Sequence, residues 1–208
     1  MSDIRAVLFD MGGVLVQLDS LETVLGSSSL TPDLIWERWI LSKAVQEFER
    51  GRCDVETLAT AIVAELELEG TAAEFIDRFI AFPQGLFPGA AEMVADVPAE
   101  IVTGVLSNTS ALHWENQRDA DQIRALCQRS YLSYELGVAK PSREIYDCAV
   151  NDLGIDAGHV LFIDDNQINV DGAVAAGLRA GLAKGPDQAR QVLTDFEVLP
   201  ECSQPANW

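Results

Sequence analysis

Positive charge is scarce in this chain. Fourteen lysines and arginines stand against 33 aspartates and glutamates, a net charge of −19. A surface this acidic repels nucleic acid and anionic membranes, so neither is an expected partner. Its plainest effect is solubility. It also repels phosphorylated compounds, so an anionic ligand needs a local cation. Histidine is rarer still, occurring as His113 and His159, and the cysteines Cys53, Cys127, Cys148 and Cys202 form no CxxC pair. Zinc and dithiol chemistry therefore lack their ligand spacing. No GxSxG is present, which removes the serine-hydrolase elbow. No apolar run reaches the roughly 20 residues that span a bilayer. The apolar stretch Ala6-Val7-Leu8-Phe9 follows Asp3 too closely for a signal peptide. A cytoplasmic protein with reduced thiols is the expectation.

Against these absences, hydrophobic residues make up 48% of the 208 positions, enough for a packed core and a small insertion. Arg5 to Phe9 is an apolar run without polar alternation, the pattern of a strand buried on both faces. Ile101 to Leu106, His159 to Ile163 and Leu178 to Ala183 repeat it, and Gln128 to Leu132 is a weaker version. Helical patterns separate them: Gly89 to Val97, Ser110 to Cys127, Pro141 to Leu153, Asn169 to Ala176 and Pro186 to Phe196. The alternation predicts an α/β fold, a doubly wound parallel sheet. Pro200 to Trp208 reads as a loose tail.

Residues 19–85 break the pattern, with no buried strand run. Thr31-Pro32-Asp33 starts a helix that continues through Trp36, Trp39, Ile40 and Phe48 to Gly51. Asp54 caps a second, Val55 to Leu66, and Thr71 with Glu74 makes a capping box for a third, Ala72 to Phe82. The expected organisation is a core of residues 1–18 and 86–208, and a small helical cap of residues 19–85 over the carboxyl ends of the strands.

Polar residues recur just past those carboxyl ends, the edge where open α/β sheets bind ligands. Asp10 with Gly12-Gly13 follows the first strand. Ser107-Asn108 follows the second, Lys140-Pro141 precedes a helix, and Asp164-Asp165, with Asn169 beyond, closes the order. Each has a bland reading alone: a turn, a helix cap, a solvated lysine, an acidic helix start. In this order they resemble the haloacid dehalogenase superfamily, whose core is Rossmann-like. The resemblance covers nearly the whole chain. The helical insertion stands where that superfamily carries its C1 cap, and Phe48-Glu49-Arg50-Gly51 is similar to a cap segment of its phosphatase-like branch.

The resemblance implies a Mg²⁺-dependent hydrolase that acts through an aspartyl-phosphate on a small phosphorylated metabolite, a sugar phosphate among the candidates. Asp10 is then the nucleophile, helped by Ser107 and Lys140. Asp10, the Gly12 carbonyl and Asp165 hold the metal, with Asp164 accessory. Ser107, the Asn108 N–H, Gly13 and Lys140 meet the phosphate. Gly12 departs from the family pattern, which usually has a second aspartate there as acid and base. Asp19 and Glu49 are the candidate substitutes, set against the plainer reading that both are solvated acids. Two other readings stay open: a catalytically impaired binding or regulatory protein, and a 2-haloacid dehalogenase, which needs no metal. A receiver domain is excluded, because its acidic pair precedes the phosphorylated aspartate. Substrate identity and oligomeric state are not legible.

Overall fold

A computed structural model describes residues 3–200 of the chain. Its five-stranded parallel sheet has the order β5-β4-β1-β6-β7. The strands are β1 (Ala6–Phe9), β4 (Val102–Ser107), β5 (Arg129–Leu132), β6 (Val160–Asp164) and β7 (Arg179–Leu182). The central strand β1 pairs with both β4 and β6, Ala6 lying opposite Val102 on one side and Val160 on the other. Its residues alternate between two apolar layers. Val7 and Phe9 pack with Val105, Leu161 and Ile163 on one face, and Ala6 and Leu8 pack with Leu106, Val160 and Phe162 on the other. Burial on both faces is why these strands read as unbroken apolar runs.

Helices α6 (Ala90–Ala95), α7 (Ala111–Asn116), α8 (Ala120–Leu126), α9 (Ser133–Leu136), α10 (Arg143–Leu153), α11 (Gln167–Ala175) and α12 (Gly185–Asp195) accompany the sheet. The first layer takes Ala90 and Met93 of α6, Ile123 of α8 and Ala189 and Leu193 of α12. The second takes Ile145, Tyr146 and Ala149 of α10 and Ala173 of α11. The fold is the doubly wound α/β arrangement expected.

Between β1 and β4 lie α1 (Leu21–Leu25), α2 (Pro32–Leu41), α3 (Lys43–Glu49), α4 (Val55–Glu65) and α5 (Ala72–Ile80). They bury an apolar cluster of their own, with Phe48, Leu58, Ile62, Phe75 and Phe79 at its heart. The caps follow the sequence: Asp54 Oδ1 accepts the Thr57 N–H at 2.8 Å, and Thr71 and Glu74 close a capping box. Both chain passages between this lobe and the sheet join in an antiparallel ribbon, β2 (Val16–Leu18) with β3 (Pro83–Leu86).

Four local features differ from the sequence expectation. Segment 83–86 is a strand, although Pro83 and Gly85 are poor strand formers, because its one partner is β2. The long Trp36–Gly51 pattern breaks at Ser42, which ends α2 in extended backbone and caps α3 through Val45. Ser110–Cys127 is two helices, since Asp119 takes a left-handed φ of 62° and its carboxylate accepts the Leu86 N–H of the ribbon at 3.3 Å. Helix α1, capped by Ser20, was not anticipated. The tail expected at the carboxyl end, and Cys202, lie beyond residue 200, outside the described residues. Among the described residues no helix is long and apolar enough to cross a membrane.

Phe75 is fully buried and stacks on Phe79 with ring centroids 5.3 Å apart. Phe75→Ala should cost about 3–5 kcal/mol of stability. Urea denaturation measures this, and a loss below about 1 kcal/mol would mean that the lobe is not packed around this ring.

Candidate active site

The carboxyl ends of β1, β4 and β6 bring the polar residues together. Asp10 continues β1, its backbone N–H donating to Ile163 O at 2.8 Å. Its Oδ1 accepts the Met11 N–H at 2.7 Å and Lys140 Nζ at 2.8 Å. Lys140 lies in the loop before α10, its bond to Pro141 is cis, and its Nζ also donates to Asp164 Oδ2 at 2.6 Å. The ammonium therefore lies between two buried carboxylates, and 5.3 Å from the Phe162 ring centroid.

Asp164 is fully buried and closes its own shell. Its Oδ1 accepts the Asn166 N–H at 2.8 Å, and Asn169 Nδ2 lies 3.1 Å from each of its oxygens. Asp165 is exposed and turns over Gly13. A Cβ on Gly13 would come within 2.1 Å of Asp165 Oδ2, and Gly13 has φ 79°, so glycine is required there twice over.

Burial raises the Asp10 carboxyl to about 7, against the pull of Lys140. Asp165 is also raised, by partial desolvation of its carboxyl and then by Asp164, against the pull of Lys140 and Lys184. Burial opposes the charge on Lys140, but Asp10 and Asp164 outweigh it and hold its pKa above the ordinary lysine value.

Ser107 ends β4 and is buried; its Oγ makes one long contact, 3.5 Å to Asn108 O. Asn108 does more than sequence reasoning assigned to it. Its side chain clasps the Lys140 backbone, Oδ1 accepting the N–H at 2.8 Å and Nδ2 donating to the carbonyl at 3.1 Å. A cleft of about 270 Å³ is lined by Asp10, Gly12, Ser107, Asn108, Lys140 and Asp165 from the core, with Glu49, Phe82 and Pro83 across from them in sequence. Two site candidates stand behind the wall instead of in it. Gly13 lies beneath Asp165, and Asp164 backs Lys140. Asp19 is not among the lining residues; its Oδ1 takes the Ser20 N–H at 2.7 Å.

The donor set suits a divalent cation. Carboxylate oxygens of Asp10, Asp164 and Asp165 lie within 4.8 Å of one another. Lys140 offsets only part of their charge, and an all-oxygen set matches a hard ion such as Mg²⁺.

Comparison with known proteins places the chain. Residues 4–177 match the family of haloacid dehalogenase-like hydrolases, and the chain belongs to that family. It is a hydrolase, with phosphatases among its relatives. It is 30% identical to phosphatase MT3486 of Mycobacterium tuberculosis over 94% of this chain and 95% of that one. It is 24% identical to the D-ribitol-5-phosphate phosphatase of Bacteroides thetaiotaomicron over 80% and 85% of the two chains. A haloacid dehalogenase-family enzyme of B. thetaiotaomicron, solved with magnesium and inorganic phosphate, superposes with a TM-score of 0.70 at 25% identity, covering 87% of this chain and 94% of that one.

Lys140→Met would leave Asp10 and Asp164 without the cation between them. Removing one partner of a buried ion pair costs about 3–5 kcal/mol. The Asp10 pKa is already raised in the fold, and losing Lys140 raises it further. Its ionisation then opposes folding, so the destabilisation is smaller at pH 5 and grows as pH rises through 7 to 8. Chemical denaturation in EDTA at both pH values checks the sign; an equal loss at both contradicts it.

Proposed function

We propose that this chain hydrolyses small phosphate monoesters with Asp10 as nucleophile and Mg²⁺ as cofactor. One observation carries the reading. The Asp10 carboxylate, oriented by the Met11 N–H and Lys140, shares a cleft with Ser107, Asn108 and Asp165.

The Asp10 carboxylate attacks phosphorus and the leaving oxygen departs, giving an aspartyl-phosphate that water then hydrolyses. Ser107 Oγ and the Asn108 N–H donate to the non-bridging oxygens, where charge is highest in the transition state. Lys140 holds the nucleophile in place and offsets the charge gathering beside it. Asp164 keeps Lys140 extended and charged, and Asn108 fixes the Lys140 backbone. Asp10, the Gly12 carbonyl and Asp165 would hold the metal, with Asp164 behind them. When bound, the metal neutralises nucleophile and phosphate and aligns them.

The three converging carboxylates weigh against a haloacid substrate. Such a substrate brings its own carboxylate and no cation, into a site that already carries excess negative charge. The D-ribitol-5-phosphate phosphatase relative makes polyol and sugar phosphates the first panel to test.

Asp10→Asn should reduce Mg²⁺-dependent phosphate release to background in a protein whose far-UV circular dichroism matches wild type. Release unchanged in the variant would end the covalent reading. Asp165→Ala should raise the Mg²⁺ concentration for half-maximal activity more than Asp164→Ala does, because Asp165 faces the cleft and Asp164 is engaged with Lys140 and Asn169. Titrating activity against Mg²⁺ in both variants decides; a larger shift in Asp164→Ala reverses the two assignments.

A further inference from the structure

Gly12 leaves no side chain beside the nucleophile, yet the departing oxygen of an alkyl phosphate needs a proton. Where that proton comes from is a question that rests on the phosphomonoesterase reading above. The answer lies at the far wall of the cleft. A second cavity of about 140 Å³ adjoins it, lined largely by apolar side chains of the helical lobe: Trp39, Val45, Phe48, Leu58 and Phe79. Cleft and cavity share Glu49, Phe82, Asn108, Thr109 and His113. Ser107 lines the cleft and Asn108 lines both spaces, so a phosphate held by these two residues would sit at their junction.

Two side chains in the wall exchange protons, Glu49 and His113. His113 is committed. Its Nε2–H donates to Phe79 O at 2.7 Å, and its ring centroid lies 4.5 Å from that of Phe79. Burial holds its pKa below the ordinary histidine value, so at neutral pH it is uncharged and has no proton to donate to a leaving group. Glu49 is not committed. Its nearest side-chain partner is Asn108 Nδ2, at the limiting distance of 3.5 Å. Its backbone carbonyl accepts from Ser133 Oγ at 2.6 Å, which ties this turn of α3 to the core. Burial raises its carboxyl above the ordinary glutamate value, against the pull of Lys140 and Arg50, so it keeps a proton further toward neutrality. The same wall contains Thr109 Oγ1, buried and without a hydrogen-bond partner, a polar atom suited to a ligand oxygen at this junction.

We propose that Glu49 is the general acid and then the general base of the hydrolysis. In the first step Asp10 forms its bond to phosphorus, the bond from phosphorus to the leaving oxygen breaks, and that oxygen takes the proton of the Glu49 carboxyl. In the second step the Glu49 carboxylate takes a proton from water. The water oxygen bonds to phosphorus, and Asp10 leaves as a carboxylate. Glu49 ends protonated, as it began.

The test compares p-nitrophenyl phosphate, whose leaving group needs no proton, with butyl phosphate, whose leaving group does. Glu49→Gln keeps shape and removes the proton. With Mg²⁺ present, turnover of butyl phosphate should fall about 10²–10⁴-fold. The first equivalent of nitrophenolate should appear at close to the wild-type rate and then slow, because the second step has lost its base. Independently of the variant, wild-type turnover of butyl phosphate should decline as pH rises past the Glu49 pKa, whereas wild-type release of nitrophenolate should not. An equal loss on both esters in Glu49→Gln, no loss on butyl phosphate, or a wild type that cleaves only the aryl ester would overturn the assignment. A wild type that cleaves neither ester overturns the phosphatase reading itself, and this assignment with it.

Discussion

One ammonium group holds the site together. Lys140 Nζ lies 2.8 Å from Asp10 Oδ1 and 2.6 Å from Asp164 Oδ2, buried with both. Without it, the Asp10 and Asp164 carboxylates would face each other in the core with no cation between them. The fold spends several contacts on placing this one charge: Asn108 clasps the backbone on either side of it, Asn169 braces Asp164, and Tyr146 donates to Asn169 O at 2.7 Å. These residues come from β4, β6, α10 and α11, or the loops at their ends. The orientation of Asp10 is thus a property of the whole carboxyl edge of the sheet. Asp165 is the acid left over: it makes no ion pair with the lysine, faces the cleft, and offers an oxygen alongside those of Asp10 and Asp164 that could hold a cation.

The sheet was legible because burial on both faces leaves a simple trace. β1 and β6 are fully buried runs, and no alternation disguises them. The lobe's helices were legible where a capping side chain announced them, as at Asp54 and Thr71. What escaped was set by contacts distant in sequence. Asp119 breaks a helical pattern because Leu86, 33 residues earlier, presents an N–H to its carboxylate. Pro83–Leu86 becomes a strand because β2 is there to pair with it. No local propensity encodes either event.

The site divides along the same line. Asp10, Ser107 and Asp164-Asp165 each follow an apolar strand, so their shared edge was readable before their contacts were known. Lys140 came from resemblance, since nothing in its own neighbourhood marks it as buried. The Asn108 side chain, the screening of Asp164 and the place of Gly13 under Asp165 were not readable, because each depends on a partner brought in by the fold. Glu49 was one of two candidate acids, with nothing to separate it from Asp19. The cleft separates them: Glu49 lines it and Asp19 does not.

The ribbon of β2 and β3 has a mechanical consequence. Both passages of the chain between lobe and sheet run through it, and they are bonded to each other, from Phe87 N to Leu15 O at one end and from Asp19 N to Phe82 O at the other. Two strands bonded this way form one strip, so moving the lobe against the sheet requires bending or breaking the ribbon as a unit. Elsewhere the lobe is tied to the core by Ser133 Oγ to Glu49 O, Arg52 Nη2 to Gly137 O and His113 Nε2 to Phe79 O. Breaking the first of these bonds would free the Glu49 backbone from Ser133. The residue that lines the cleft and the residue whose backbone ties the lobe down are one and the same, Glu49.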